Sequence, residues 1–380
     1  MKLNLIIKQK LENKQVLVMS REQQILELLR KDPLIPQQQI ADILGLSRSS
    51  VAGYIMNLMR KGQIRGKGYI LSPQQRVVTI GGTNMDIAGY SLNNIVFSDS
   101  NLGKIKCTPG GVGRNIAQNI AMLGKESHLI SVVGDDLYGE TVLERTKLAG
   151  TYVDRCYKLH HEATSTYLSL LDNHGEMVVA INDMAILNHL TPALLSSRLD
   201  FIQHSNVIVL DCNLSEKTLA WILSNNNGIP IFVDPVSTFK AMKIKHWLSH
   251  IHTLKPNRLE AEALSGLEIK TDDDVLKAAS WFHAQGLTRL VLSMGVKGVY
   301  FSEKNGVSGW AEPLKVNIIN VTGAGDAMMA GLACCWLENM TFADSIRYAQ
   351  GCSAMALSSE LTNNPNLSDD SVKKLLEVQL

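Results

Sequence analysis

The chain lacks any CxxC pair: its six cysteines (Cys107, Cys156, Cys212, Cys334, Cys335 and Cys352) are scattered through 380 residues. That spacing excludes a thiolate metal centre, and a disulfide framework is not expected in a chain this large and mixed. No apolar run approaches the roughly 20 residues that span a bilayer. The stretch Leu3–Ile7 is too short, and too close to lysines, for a secretory leader. These absences lead us to expect a cytoplasmic protein with no membrane partner. A GxxxxGK[ST] run is also missing, which excludes a P-loop nucleotide site. No internal repeat or low-complexity tract is present.

Net charge is almost absent as well, at +1, but it is unevenly placed. Residues 1–72 carry twelve Lys/Arg against five Asp/Glu, and the remainder 25 against 31. A basic head on a mildly acidic body suggests either a nucleic-acid-facing module joined to an enzyme or a solvated basic tail.

Met19-Ser20-Arg21-Glu22 looks like a natural start, so residues 1–20 are read as an extension. Residues 21–72 then show a helical period at Ile25, Leu28 and Leu29, and a short helix near 37–44. A turn at Gly45 leads to a third helix capped by Ser47, with Val51, Ile55, Leu58 and Met59 on one face. Lys61–Leu71 reads as a β wing. This order resembles a winged helix–turn–helix domain. Such a domain would set Arg48, Ser49, Ser50 and Tyr54 toward double-stranded DNA, and Arg60, Lys61, Arg65 and Lys67 toward phosphates. A three-helix docking module is the alternative.

After a polar linker at 72–75, apolar strands alternate with helical segments from 76 to 370, which predicts a mainly parallel sheet covered on both faces by helices. Expected strands include Val77–Ile80, Leu129–Val133, Val207–Leu210, Ile231–Val233 and Leu290–Leu292. The alternating, Thr/Ser-rich segments near 90–108 and 163–180 would form a small β lid, with Thr164, Ser165 and Thr166 lining a pocket.

Two glycine runs stand before helices. Asn320-Val321-Thr322-Gly323-Ala324-Gly325-Asp326 enters an apolar helix, where free N–H groups and the positive end of the dipole favour an anion. Asp326 places a carboxylate beside that anion site. An anion cradle with an adjacent base is what phosphoryl transfer to an alcohol requires; the alternative is an ordinary capped helix. Pro109-Gly110-Gly111-Val112-Gly113-Arg114-Asn115 opens a second helix, ended by Gly124.

With TNMDIAGYS (83–91), GKIKCTPGGVGRNIAQNIA (103–121), VDPVS (233–237), HTLKPNRLEAE (252–262) and NVTGAGDAMMAGLA (320–333), the chain resembles the ribokinase-like (PfkB-type) family of sugar and nucleoside kinases over about residues 76–366. The resemblance is strongest to members acting on pseudouridine. It implies a three-layer α/β/α sandwich with a β lid, and ATP-dependent phosphorylation of a pseudouridine or related nucleoside at its 5′-hydroxyl. Asp326 would be the base and Gly323, Ala324 and Gly325 the anion hole. Asn84, Asp86, Gly110, Gly111 and Asn115 would hold the sugar, and Thr166, Asp183 and Asn213 would also face the substrate. Arg114 would contact phosphate or pair with an acid.

The resemblance assigns Asn257 and Glu260 to Mg2+ and phosphate, mainly through water; the same spacing also suits a capping box. Ser293, Gly295 and Gly298 would lie along the nucleotide, with Thr322 nearby. Many relatives carry Asp where this chain has Asn320, at a position that helps bind a monovalent cation, which puts K+ activation in doubt. Relatives often dimerise through the lid, so a homodimer is expected. Two readings stay open beside this one: a kinase for another nucleoside or sugar, and a DNA-binding regulator that uses a kinase fold as its ligand sensor.

Overall fold

The computed structural model describes residues 20–61, 63–64 and 75–379. It divides between Gln74 and Gln75 into two compact units. The extension at 1–19 and most of the expected wing and linker, Arg65 and Lys67 included, lie outside the described residues.

In the first unit, α1 (Arg21–Lys31), α2 (Gln37–Leu44) and α3 (Arg48–Arg60) enclose a small core around Ile25, Leu29, Ile40, Val51 and Leu58. Gly45 ends α2 at φ 63°, a left-handed turn that suits glycine. Ser47 accepts from the Ser50 N–H and caps α3.

The second unit begins with β1 (Arg76–Ile80), β2 (Asn84–Ser91), β3 (Gly103–Gly110) and α4 (Val112–Met122). β4 (Glu126–Ile130), β5 (Val132–Gly134), α5 (Leu137–Leu148), β6 (Tyr157–Leu159), β7 (Thr166–Leu171) and β8 (Met177–Asp183) follow. Then come β9 (Val207–Asp211), α6 (Glu216–Ser224), β10 (Ile231–Asp234), β11 (Thr253–Leu254), α7 (Arg258–Ser265), α8 (Asp272–Ala284), β12 (Arg289–Ser293), β13 (Val299–Glu303) and β14 (Ser308–Ala311). The chain closes with α9 (Ala324–Leu337), α10 (Phe342–Leu357) and α11 (Asp369–Val378).

Eight strands form the main sheet in the order β14-β13-β12-β11-β10-β9-β1-β4, parallel from β4 to β12 and antiparallel at the β13–β14 edge. Runs such as Val207-Ile208-Val209-Leu210 are buried on both faces, as continuous β-branched sequence predicts. Val77, Val209 and Phe232 pack on one face against α4, α9 and α10, while Val78, Ile208 and Val233 pack on the other against α6, α7 and α8. The chain steps from β1 to β4 on one side and to β9 on the other, so the order reverses between β1 and β9. In open α/β sheets a crevice opens there, at the carboxyl ends of the strands.

The lid is a four-stranded sheet, β3-β2-β7-β8. It starts at Asn84, earlier than the expected segment, so Asn84 and Asp86 belong to its first strand. The expected strand Leu129–Val133 is two strands in different sheets: β4 pairs with β1, and β5 pairs with β6. The break falls at Ser131, whose hydroxyl donates to the Gly81 carbonyl. Among the described residues no helix is long and apolar enough to cross a membrane.

Candidate active site

Both glycine runs end at the carboxyl edge of the main sheet. β1 gives way to Gly81-Gly82, β9 ends on Asp211, β10 on Asp234, and β11 runs into Lys255. Register sets Asp211 beside Asp234. The buried Asp211 accepts from the Gly82 and Gly113 N–H groups, both at 2.7 Å, and from the Asn213 N–H at 2.9 Å. It therefore caps α4 from another strand and fastens both glycine turns. The first turn of α4 is thus occupied by a protein carboxylate, and the Arg114 N–H by the Gly82 carbonyl. Gly110 and Gly111 serve packing: a Cβ on Gly110 would strike the Asp86 carboxylate at 2.2 Å, and one on Gly111 the Gly82 carbonyl at 2.5 Å.

α9 is different. Its N-cap is Gly323, at φ 84°, and no side chain caps it. The N–H groups of its first turn have no intrahelical acceptor. A Cβ on Gly325 would lie 3.1 Å from Lys255 Nζ, so an ammonium stands beside this open first turn. Lys255 is buried and pairs with Asp234 at 3.0 Å. Burial works against its charge, but Asp234, Glu260 and Asp326 more than offset this and hold its pKa above the ordinary value.

Asp326 lies in the first turn of α9, buried, and accepts from Asn115 Nδ2 at 2.7 Å. Burial lifts its pKa to about 7, with Asp234 and Asp211 adding repulsion and Asn115 and Lys255 pulling back. A carboxyl that titrates near neutrality is suited to general-base work.

Asp86 faces a cavity of about 610 Å³ between the lid and the body, together with Thr108, Tyr167, Arg114, Thr322 and Asn363. Asn84 Nδ2 donates to Asp86 Oδ1 at 2.5 Å, which leaves Oδ2 for a ligand. Thr166 and Asp183 pair across β7 and β8 in the same row as Met85, away from the residues lining this cavity. Thr164 is committed to structure: its hydroxyl donates to Asp136 and accepts from the Gly134 N–H. Ser165 is buried beside it. Asn213 accepts from Lys240 Nζ at 2.6 Å.

Arg114 forms no ion pair with an acid among the described residues, although it lines the cavity. It is buried in contact with neutral groups: the Gly110 and Pro109 carbonyls and the side chains of Asn115, Gln118 and Asn363. Burial pulls it down to about 10, against the attraction of Asp86 and Asp326.

Asn257 and Glu260 form the capping box of α7, each side chain holding the other's N–H. Among the described residues no cluster of three or more His, Cys, Asp or Glu could hold a metal by itself. The donor set is compatible with a magnesium ion that keeps its waters and leans on nucleotide phosphates. Ser293 is bridged to Asn257, which brings the turn bearing Gly295 (φ 61°) and Gly298 (φ 88°) to the same edge. Asn320 accepts from the Thr322 N–H and donates to the Glu360 carbonyl, tying two loops together.

In the first unit Arg48, Ser49 and Ser50 are exposed at the start of α3, while Tyr54 is half-buried against the core. The Ser50 hydroxyl also bonds Ser47, and Lys61 pairs with Glu22, so neither is as free as the sequence suggested. Sequence reasoning missed Asp211, Asp234 and Lys255 as site residues. The available signal was their place just after apolar strand runs.

Residues 20–65 match the model of the winged helix-turn-helix DNA-binding family, and residues 74–369 that of the pfkB family carbohydrate kinases. The chain is 60% identical to the pseudouridine kinase of Escherichia coli (strain K12) over 301 residues, covering 79% of this chain and 96% of that protein. It is 47% identical to the uncharacterized sugar kinase YeiI of the same organism over 357 residues, 94% and 99% of the two chains. The fold matches the ribokinase of Arabidopsis thaliana, complexed with ribose and ATP, at TM-score 0.73 and 19% identity, over 80% of this chain and 99% of that one. The chain belongs to the pfkB family of carbohydrate kinases, phosphotransferases that act on an alcohol, and carries a helix–turn–helix domain at its N-terminal end.

Proposed function

We propose that the protein is an ATP-dependent pseudouridine kinase, forming pseudouridine 5′-phosphate and ADP. The observation that carries this is the 60% identity to a pseudouridine kinase across nearly all of that protein, joined to a buried carboxylate beside an uncapped helix start. ATP and Mg2+, when bound, supply the phosphoryl group and screen its charge. Asp86 Oδ2 receives the two vicinal ribose hydroxyls, with Oδ1 held by Asn84. Asp326 takes the proton from the 5′-hydroxyl. The N–H groups at Ala324 and Gly325, with Lys255 beside them, accept the developing negative charge. Asn257 and Glu260 would hold magnesium mainly through water, and the turn at Ser293, Gly295 and Gly298 would hold the nucleotide, with Thr322 at the rim. Thr166 and Asp183, in the lid row turned away from the cavity, and Asn213, held by Lys240, have no substrate contact in this reading.

The inner lid face offers Thr108, Tyr167 and Ser169 as polar partners for a uracil ring. A site built to hydrogen-bond the extra ring N–H of pseudouridine would reject uridine strongly. K+ is not required in this reading, because Asn320 already joins the loops at its position with its own amide. A kinase that draws on ATP and free nucleosides would work in the cytoplasm. ADP release measured with pseudouridine and with uridine, under ATP and Mg2+, tests the assignment; equal rates would remove it.

The exposed start of α3 and the helix–turn–helix match favour a second role, binding of double-stranded DNA through Arg48, Ser49, Ser50 and Tyr54. The outer lid face is apolar, with Ile105, Leu168, Val179 and Ile181 exposed, and suits a homodimer that would read a two-fold site. A DNA affinity at fixed salt that does not respond to saturating nucleoside and ATP would exclude control of DNA binding by the kinase site.

A further inference from the structure

Arg114 is 1% exposed and, among the described residues, contacts no carboxylate. A buried cation left without a contacting anion costs stability, so packing alone does not explain a guanidinium here. Its Nε donates to the Gly110 carbonyl at 2.8 Å. Nη2 serves the Pro109 carbonyl at 2.9 Å, Asn363 Oδ1 at 2.8 Å, and Asn115 Oδ1.

The last bond matters most. An Asn amide has an accepting and a donating end. With Oδ1 turned to the guanidinium, the Asn115 Nδ2 must face the other way, where it donates to Asp326 Oδ2 at 2.7 Å. Asn363 Nδ2 braces the assembly by donating to the Asn115 carbonyl at 3.0 Å and to Asn119 Oδ1 at 2.8 Å. The segment bearing Asn363 also touches the cap of α9, since a Cβ on Gly323 would meet the Thr362 carbonyl at 2.4 Å.

We infer that Arg114 is a positioning residue for phosphoryl transfer: it fixes the Asn115 amide, which pins Asp326 Oδ2 and leaves Oδ1 to receive the substrate proton. This rests on Asp326 being the base, as proposed above. It differs from direct phosphate recognition by Arg114, because Nε and Nη2 are committed to protein oxygens.

A double-mutant cycle on the full chain, with pseudouridine, ATP and Mg2+, tests the relay. Arg114→Lys and Asn115→Ala should each lower kcat by roughly 10- to 100-fold, the cost of a small misplacement of a reacting group, while KM for ATP stays unchanged. In the Asn115→Ala background, Arg114→Lys should add no further loss, because its effect runs through the amide. Asn363→Ala keeps the guanidinium but removes the brace together with one of its acceptors, and should lower kcat in the same non-additive way if Arg114→Lys fails to fold. Additive losses, or a raised KM for ATP at unchanged kcat, would overturn the relay. No turnover in the unaltered chain would instead overturn the kinase reading, and the relay with it.

Discussion

Asp326 is where burial and chemistry meet. Its carboxyl titrates near 7, whereas in the unfolded chain it has the ordinary carboxylate value. Only the ionised form can take a proton, so kcat/KM should fall tenfold per pH unit below an apparent pKa near 7; a flat profile down to pH 5 would exclude Asp326 as the base. Asp326→Asn should lower kcat by at least about a thousandfold while leaving nucleotide binding, followed by calorimetry, nearly intact. The same shift carries a stability consequence of definite sign. Between the unfolded and folded pKa values the native state holds the extra proton, so stability falls as pH rises through that window. Asn pays no such penalty, and the melting temperature of Asp326→Asn should exceed that of the unaltered chain by more at pH 8 than at pH 5. Asp326 itself was legible from its place after GAG. Its environment was not, because Asp211, Asp234, Lys255 and Asn115 come from four other segments.

Two helices with glycine N-caps enter the site in different electrical states. α4 is neutralised by Asp211, and α9 is left open for a ligand. Glycines before helices are visible in sequence, but which helix start is already filled is decided by a carboxylate about 100 residues away. The break at Ser131 is hidden for the same reason, since the Gly81 carbonyl that holds it belongs to the turn after β1, about 50 residues earlier in the chain. The apolar strand runs were legible because a sheet buried on both faces leaves them little other composition. Gly323→Ala would force a side chain into a left-handed backbone and against the Thr362 carbonyl. Denaturant unfolding should show a loss of about 1–3 kcal/mol, with activity reduced further because the open turn itself moves.

Across the whole molecule, the division at Gln74/Gln75 leaves the kinase unit with its own two cores and both glycine turns. A chain starting at Gln75 should therefore keep kcat within about twofold; loss of activity in a folded truncation would make the N-terminal unit part of the catalytic assembly. With the outer lid face as the homodimer interface proposed above, Ile181→Lys should shift the mass seen by light scattering from dimer to monomer, and an unchanged mass would remove that interface.

The most direct measurement is steady-state ADP release with ATP and Mg2+, comparing pseudouridine with uridine, cytidine, inosine, adenosine, ribose and fructose 6-phosphate. A kcat/KM for pseudouridine at least about 100-fold above the rest, roughly 2.7 kcal/mol of discrimination, is the expected result. Preference for another acceptor would contradict the substrate assignment, and no turnover with any of them would contradict the kinase mechanism built on Asp326.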